Sequence, residues 1–283
     1  MKMGLASKLE GIVESEVTPY IVLSVFSAVM VSPIILIFFN SFKTLHEALS
    51  WPPTIIPSQP TLEAYVKVIN SPVLLTLRNS LIIASGTTFL VLALGLPTAY
   101  GISKYSFKGS KFAMLFFLAS RIIPPLSLLI PFYIMMTWLK LTNTFQCLII
   151  LDTYLAFPLM VWILKAFFDE FERDLIDAAL VDGCSRLGAF LRVAIPLSAV
   201  GIAAVGIITF LWTWNEFVYA MIFTATEDIA PVTIGIFHFV GDEVIEWNSL
   251  SAVGIFTSLP AIIFFIFAQK YIIEGMTKGA IKL

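Results

Sequence analysis

Three ionisable side chains stand inside long apolar stretches of this chain: Arg121, Asp152 and Glu216. Such groups are rare in membrane helices and ordinarily face a protein interior, a partner charge or water. Glu216 closes the run Trp212-Thr213-Trp214-Asn215-Glu216. Aromatic faces beside an amide and a carboxylate are groups suited to binding polyhydroxylated solutes. An internal ion pair, or the capping of a broken helix, accounts for the same residues equally well. The Pro124-Pro125 pair follows Arg121 closely and frees backbone carbonyls, which a cavity would have to satisfy. Reaction chemistry has no foothold. Two histidines (His46, His238) and two cysteines (Cys147, Cys184) cannot build a zinc site or a disulfide framework. No nucleophile elbow or Cys/His couple is present. No catalytic residue and no metal ligand is therefore expected.

A second group of residues lies between apolar runs, in the connection 169–198. Asp174 with Asp177 three residues on reads as a capping-box-like helix start, and Gly183 suits the left-handed residue that ends a helix. Ala178 and Ala179 permit close approach by another surface, while Leu175, Leu180 and Val181 would be costly to leave in water. A further stretch, Arg186–Ile195, sets Leu187, Phe190, Leu191 and Ala194 on one face of a helix, and Pro196 opens the next apolar run. Periodicity leaves two readings open: a linker helix on the membrane interface, or a knob that docks on a partner.

These residues sit in a chain of 283, of which 59% are hydrophobic and 13% charged. Soluble domains carry about twice that charge. Disorder and an ordinary soluble enzyme are excluded as defaults, and a net charge of −2 leaves no footprint for nucleic acid. Six runs are long enough to cross a bilayer, Pro19–Phe39, Asn79–Ser103, Phe112–Met136, Phe145–Phe168, Ala199–Phe223 and Leu250–Ile273. Twelve Lys and Arg fall in the two termini and in the second-to-third and fourth-to-fifth connections, against four (Lys43, Lys67, Arg78, Lys140) in the others. That bias puts both termini in the cytoplasm. The fifth-to-sixth connection has no Lys or Arg and belongs outside, with Asp242, Glu243, Glu246 and Trp247 at its end. The proline-punctuated segment 40–77 is also outer, with a short surface helix over Thr61–Ile69. The domain plan is a cytoplasmic segment 1–18, a six-span domain 19–273 with its core at about 78–273, and a cytoplasmic tail 274–283.

The register Asp177-Ala178-Ala179, three residues, Gly183, nine residues, Val193-Ala194-Ile195-Pro196 resembles the E-A-A…G…I-x-L-P loop of ABC importer permeases. Asp stands for Glu, Val for Ile and Ile for Leu. Trp214-Asn215-Glu216-Phe217, Arg121-Ile-Ile-Pro124-Pro125 with Pro131-Phe-Tyr, and the tail Gln269–Lys282 resemble the carbohydrate-uptake, maltose-type permeases. The resemblance implies an all-α polytopic fold of six helices in type I importer architecture, in a bacterial or archaeal plasma (inner) membrane. It implies a coupling role for Asp177, Ala178, Ala179, Leu180, Asp182, Gly183 and Pro196 against a cytoplasmic ABC ATPase dimer. It assigns Arg121, Asp152, Trp212, Trp214, Asn215 and Glu216 to the substrate pathway, and Asp242, Glu243, Glu246 and Trp247 to contact with an extracytoplasmic solute-binding protein. A second, different permease and a carbohydrate cargo complete the expectation. The chain contains no Gly-Lys dipeptide, hence no phosphate-cradling loop. ATP and Mg are expected on the partner ATPase, and no cofactor on this chain. A self-contained six-helix secondary transporter or channel is the rival, since broken spans with ionisable groups also carry coupling ions.

Overall fold

The computed structural model describes residues 17–105, 107–241 and 244–280, with side chains described to 266 and at 269. The helices in chain order are α1 Val17–Asn40, α2 Leu45–Ala48, α3 Glu63–Ile69, α4 Val73–Lys104, α5 Ser110–Ser120, α6 Leu129–Trp138 and α7 Phe145–Glu170. They continue with α8 Asp174–Val181, α9 Arg186–Ala189, α10 Ile195–Leu197, α11 Ala199–Trp214, α12 Val218–Phe223, α13 Val232–Gly235 and α14 Trp247–Ala280. Apart from one isolated bridge, Val240 to Ile245, the regular structure among the described residues is helical.

Among the described residues, four helices are long and apolar enough to cross a bilayer: α1, α4, α7 and the first part of α14. The third expected span, Phe112–Met136, is not continuous. Pro124 sits at φ −58°, ψ 128°, because the ring of Pro125 disfavours helical backbone in the residue before it. The two halves therefore meet at 92°. The fifth expected span, Ala199–Phe223, also breaks, after Trp214. There Glu216 turns its carboxylate forward, so that Oε1 accepts the Tyr219 N–H at 2.9 Å and Oε2 the Ala220 N–H at 3.0 Å. Those two N–H groups are the unsatisfied donors of a new helix, α12.

The residues fall into two compact units. One comprises 17–70 and 239–256. Within it, no residue of α1 is buried, and the helix is apolar on every side, as suits lipid or a neighbouring membrane helix. Its last turn is tied down: Asn40 Nδ2 donates to the Trp247 carbonyl at 3.0 Å and to Ser251 Oγ at 2.8 Å. The expected surface helix forms as α3 and buries Ala64 and Val68.

The other unit comprises 71–238 and 257–280. Its core is α4, α7 and α11, packed through Val91, Ala99, Tyr100, Met160, Leu164, Phe168 and Val205. Gly201 lets α11 lie hard against α7, since a Cβ there would stand 2.2 Å from Phe167 Cγ.

Candidate functional site

The connection between α7 and α11 folds into α8, α9, a π-turn over Phe190–Ala194, and α10. The start of α8 differs from expectation. Arg173 is the N-cap and no side chain caps the helix; Asp174 and Asp177 lie in its first turn, where a negative charge suits the helix dipole. Its end is as the sequence indicates. Gly183 has φ +87°, the Gly183 N–H donates to the Leu180 carbonyl, and the Cys184 N–H donates to the Ala179 carbonyl. These two bonds are a Schellman closure. Ile176 is buried, and Ala179 and Leu180 pack on the same core. The opposite face presents Leu175, Asp177, Ala178, Val181 and Asp182, with Val181 88% exposed.

The single apolar face expected over Arg186–Ile195 is not realised. Ala189, Phe190 and Ala194 are buried, while Leu187 and Leu191 are exposed. The π-turn carries extra backbone per turn and so rotates the later residues relative to a regular α-helix. Pro196 stands at the start of α10, ahead of a 77° bend into α11.

What holds this block is the end of α4, a feature hidden from sequence reading. Lys104 is 7% exposed; its Nζ donates to the Phe171 carbonyl at 2.6 Å and lies 3.9 Å from the Phe171 ring centre. Ser103 donates to Asp169, which also pairs with Lys165. Tyr100 packs against the rings of Phe168, Phe190 and Tyr105, and Arg186 lies over Tyr105. In sequence Lys104 is one charge at the end of an apolar run, and only its count is informative.

The residues assigned to the pathway separate into two sets. Arg121, at the break after α5, donates from Nη1 to the Leu155 carbonyl at 2.7 Å, and its guanidinium lies 5.0 Å from the Trp212 ring. Both side chains are exposed, as is Asn215, whose Nδ2 donates to the Leu211 carbonyl. Arg121 borders a cleft of about 90 Å³ with Ser120, Pro125 and Tyr154. Asn215 borders another of about 240 Å³ with Thr233, Thr257 and Ser258. Trp214, by contrast, is buried; its Nε1 donates to the Thr257 carbonyl and its ring stacks on Phe210. Asp152 is buried in α7, and Glu216 caps α12.

The end of this unit away from Lys104 is organised by two residues that composition did not single out. Asn79 Nδ2 donates to the carbonyls of Glu227, Asp228 and Ala230, and Ser80 Oγ accepts the Val232 N–H. In the first unit, Glu246 pairs with Lys67 and accepts the Ser249 hydroxyl, so its carboxylate is engaged; Trp247 is half exposed. Asp242 and Glu243 lie outside the described residues.

This is a multi-pass helical membrane subunit with broken spans and a protruding helix closed by glycine. Residues 91–278 match the family of the binding-protein-dependent transport system inner membrane component, and the chain belongs to that family. It is thus a permease subunit of an ABC transporter, in the inner membrane. Among its relatives is the trehalose/maltose transport system permease protein MalG of Thermococcus litoralis, 34% identical over 78% of this chain and 81% of that one. Another is the sulfoquinovosyl glycerol transport system permease protein SmoH of Agrobacterium fabrum, 32% identical over 88% of each. The fold is shared with a chain of a bacterial ABC transporter that imports the acidic polysaccharide alginate. That match has a TM-score of 0.81 at 20% identity, covering 94% of this chain and 97% of the other.

Proposed function

We propose that the chain is one of two different permeases in an ATP-driven carbohydrate importer, fed by an extracytoplasmic solute-binding protein and driven by a cytoplasmic ABC ATPase dimer. The observation that carries this is the exposed face of α8, ended by the Schellman closure at Gly183. Leu175 and Val181 are apolar side chains held out of their own core. Covering each one in a partner groove gains roughly 1.5–3 kcal/mol. The ATPase is that partner, and it binds ATP and Mg; this chain supplies the lever. Closure of the ATPase dimer moves α8, and the end of α4 passes the motion on through Lys104 and Ser103. The Lys and Arg bias supports cytoplasmic termini.

A carbohydrate cargo is supported by the named cargoes of the relatives, a disaccharide and a glycosyl glycerol among them. Arg121, Trp212 and Asn215 offer the accessible surface for it, a ring face with guanidinium and amide donors. Glu216, which caps α12, and Trp214, which bonds the Thr257 carbonyl, hold the broken helix in place, and Asp152 is buried in α7. On the outer side Trp247, half exposed, is the group offered to the binding protein.

The test is reconstitution of the full complex with its binding protein, and a sugar panel read by ATPase stimulation and uptake. One carbohydrate stimulates both. R121A lowers its uptake about two- to fivefold, the equivalent of about 0.5–1 kcal/mol of lost cation–π contact. Uptake by this chain alone, driven by an ion gradient without an ATPase, refutes the assignment.

A further inference from the structure

Beside the break between α11 and α12 lies a small chamber whose charges are unaccounted for. Asp152 of α7 and Glu216 both line it, with Ser80 of α4 and Thr213 of α11; Ile83 and Leu148 close it with carbon. Its volume is about 10 Å³, near the room of one water-sized particle. Asp152 is 5% exposed, and its Oδ1 has no hydrogen-bond partner among the described residues. Glu216 accepts the Tyr219 and Ala220 N–H groups, and the backbone N–H groups of Val218 and Phe217 also act on its carboxylate. Ser80 Oγ takes the Val232 N–H at 2.8 Å and still has its own proton and a second lone pair.

No Lys, Arg or His lines the chamber among the described residues. The charged group that acts on Asp152 is Glu216. The other titratable neighbours are Cys147 and Tyr154 on α7 and Tyr219 on α12, none of them cationic at neutral pH. On α4, Arg78 is exposed and bonded to Asn79, while Tyr100 and Lys104 belong to the opposite end of that helix. On α5, Lys111 is in the first turn, and Arg121 beyond its end is engaged by Leu155 and Trp212. The described part of α11 carries no titratable side chain. Two carboxyl groups enclosed in this way, within a membrane-spanning fold, require a counter-charge.

We propose that the chamber takes up one small monovalent cation, a proton or a sodium ion, held between Asp152 and Glu216. A proton becomes the O–H of one carboxyl and is donated to the other. A sodium ion takes carboxylate oxygens with the Ser80 and Thr213 hydroxyl oxygens. Either occupant fastens the residue that caps α12 to the first third of α7, and so sets how firmly the broken span is held. The site is separate from the cargo and from the ATPase-facing segment.

The test is thermal unfolding of the whole importer complex in nanodiscs, in two series. The first replaces sodium by choline at constant ionic strength and pH. The second varies pH in choline alone. A saturable upward Tm shift of at least about 2 °C with sodium identifies the metal ion. A pH-dependent Tm transition that persists in choline identifies the proton. In either case D152N flattens the response, and E216Q, which keeps the side-chain length and one of the two accepted N–H bonds, flattens it as well. A wild-type complex flat in both series overturns the proposal. So does a response that survives unchanged in both variants.

Discussion

Replacing Gly183 by valine isolates one physical quantity. Its φ of +87° lies in the left-handed region, and a Cβ built there meets nothing within 4 Å. Within the chain the added Cβ meets no clash, so the effect expected there is backbone strain. For a residue with a Cβ that strain is about 1–2 kcal/mol. It shifts the closed helix end against open alternatives roughly five- to thirtyfold, since about 1.4 kcal/mol is a factor of ten. Asparagine tolerates the left-handed region and is the matched control. With the complex in proteoliposomes, G183V is expected to lower uptake five- to thirtyfold and to disconnect it from ATP hydrolysis. G183N should stay close to wild type. Both variants leave the buried face of α8, Ile176, Ala179 and Leu180, untouched. Uptake by G183V within about twofold of wild type removes the need for a helix end at this point. Equal loss in G183V and G183N moves the cause from φ to bulk.

Two further outcomes follow from the same geometry. Lys104→Met keeps the length of the apolar stem and removes the charged donor to the Phe171 carbonyl, a bond worth about 1.5–3 kcal/mol; it should lower Tm and weaken ATPase stimulation by loaded binding protein, while K104R restores both. In the first unit the Ser58 N–H donates to Glu47, and that bond holds the Glu47 carboxyl below its ordinary value. The carboxylate therefore favours the folded segment above the ordinary carboxylate range, and the advantage is lost as pH falls through the lowered value. Acidification should expose the segment 50–58 to protease in wild type, and E47Q should be open at every pH; limited proteolysis with mass mapping reads both.

Much of the connection 169–198 is legible in the amino-acid sequence. The spacing from Asp177 to Pro196 and the glycine at position 183 act through local backbone rules, so they survive the tertiary fold. The same holds for the prolines at 124 and 125, although reading them as a site of freed carbonyls stops short of a 92° break. The π-turn over Phe190–Ala194 escapes, because nothing local in Phe-Leu-Arg-Val-Ala requires it; the face it buries is selected by Tyr100 and Phe168. The break after Trp214 escapes for a related reason. It has neither proline nor glycine, and it is made by a side chain, Glu216, that bonds forward to its own chain.

By itself the sequence determined the membrane class, the apolar lengths, the position of the protruding helix and its glycine closure. Each is set by hydrophobic transfer or by backbone sterics within one segment. The tertiary structure alone decided which polar groups are enclosed: Asp152 and Trp214 inside, Arg121 and Trp212 at the surface, Lys104 buried on Phe171. Lipid tails and a protein interior are equally apolar, so helical periodicity cannot tell which face of a span meets which. Only the packing of α4, α7 and α11 against one another resolves it.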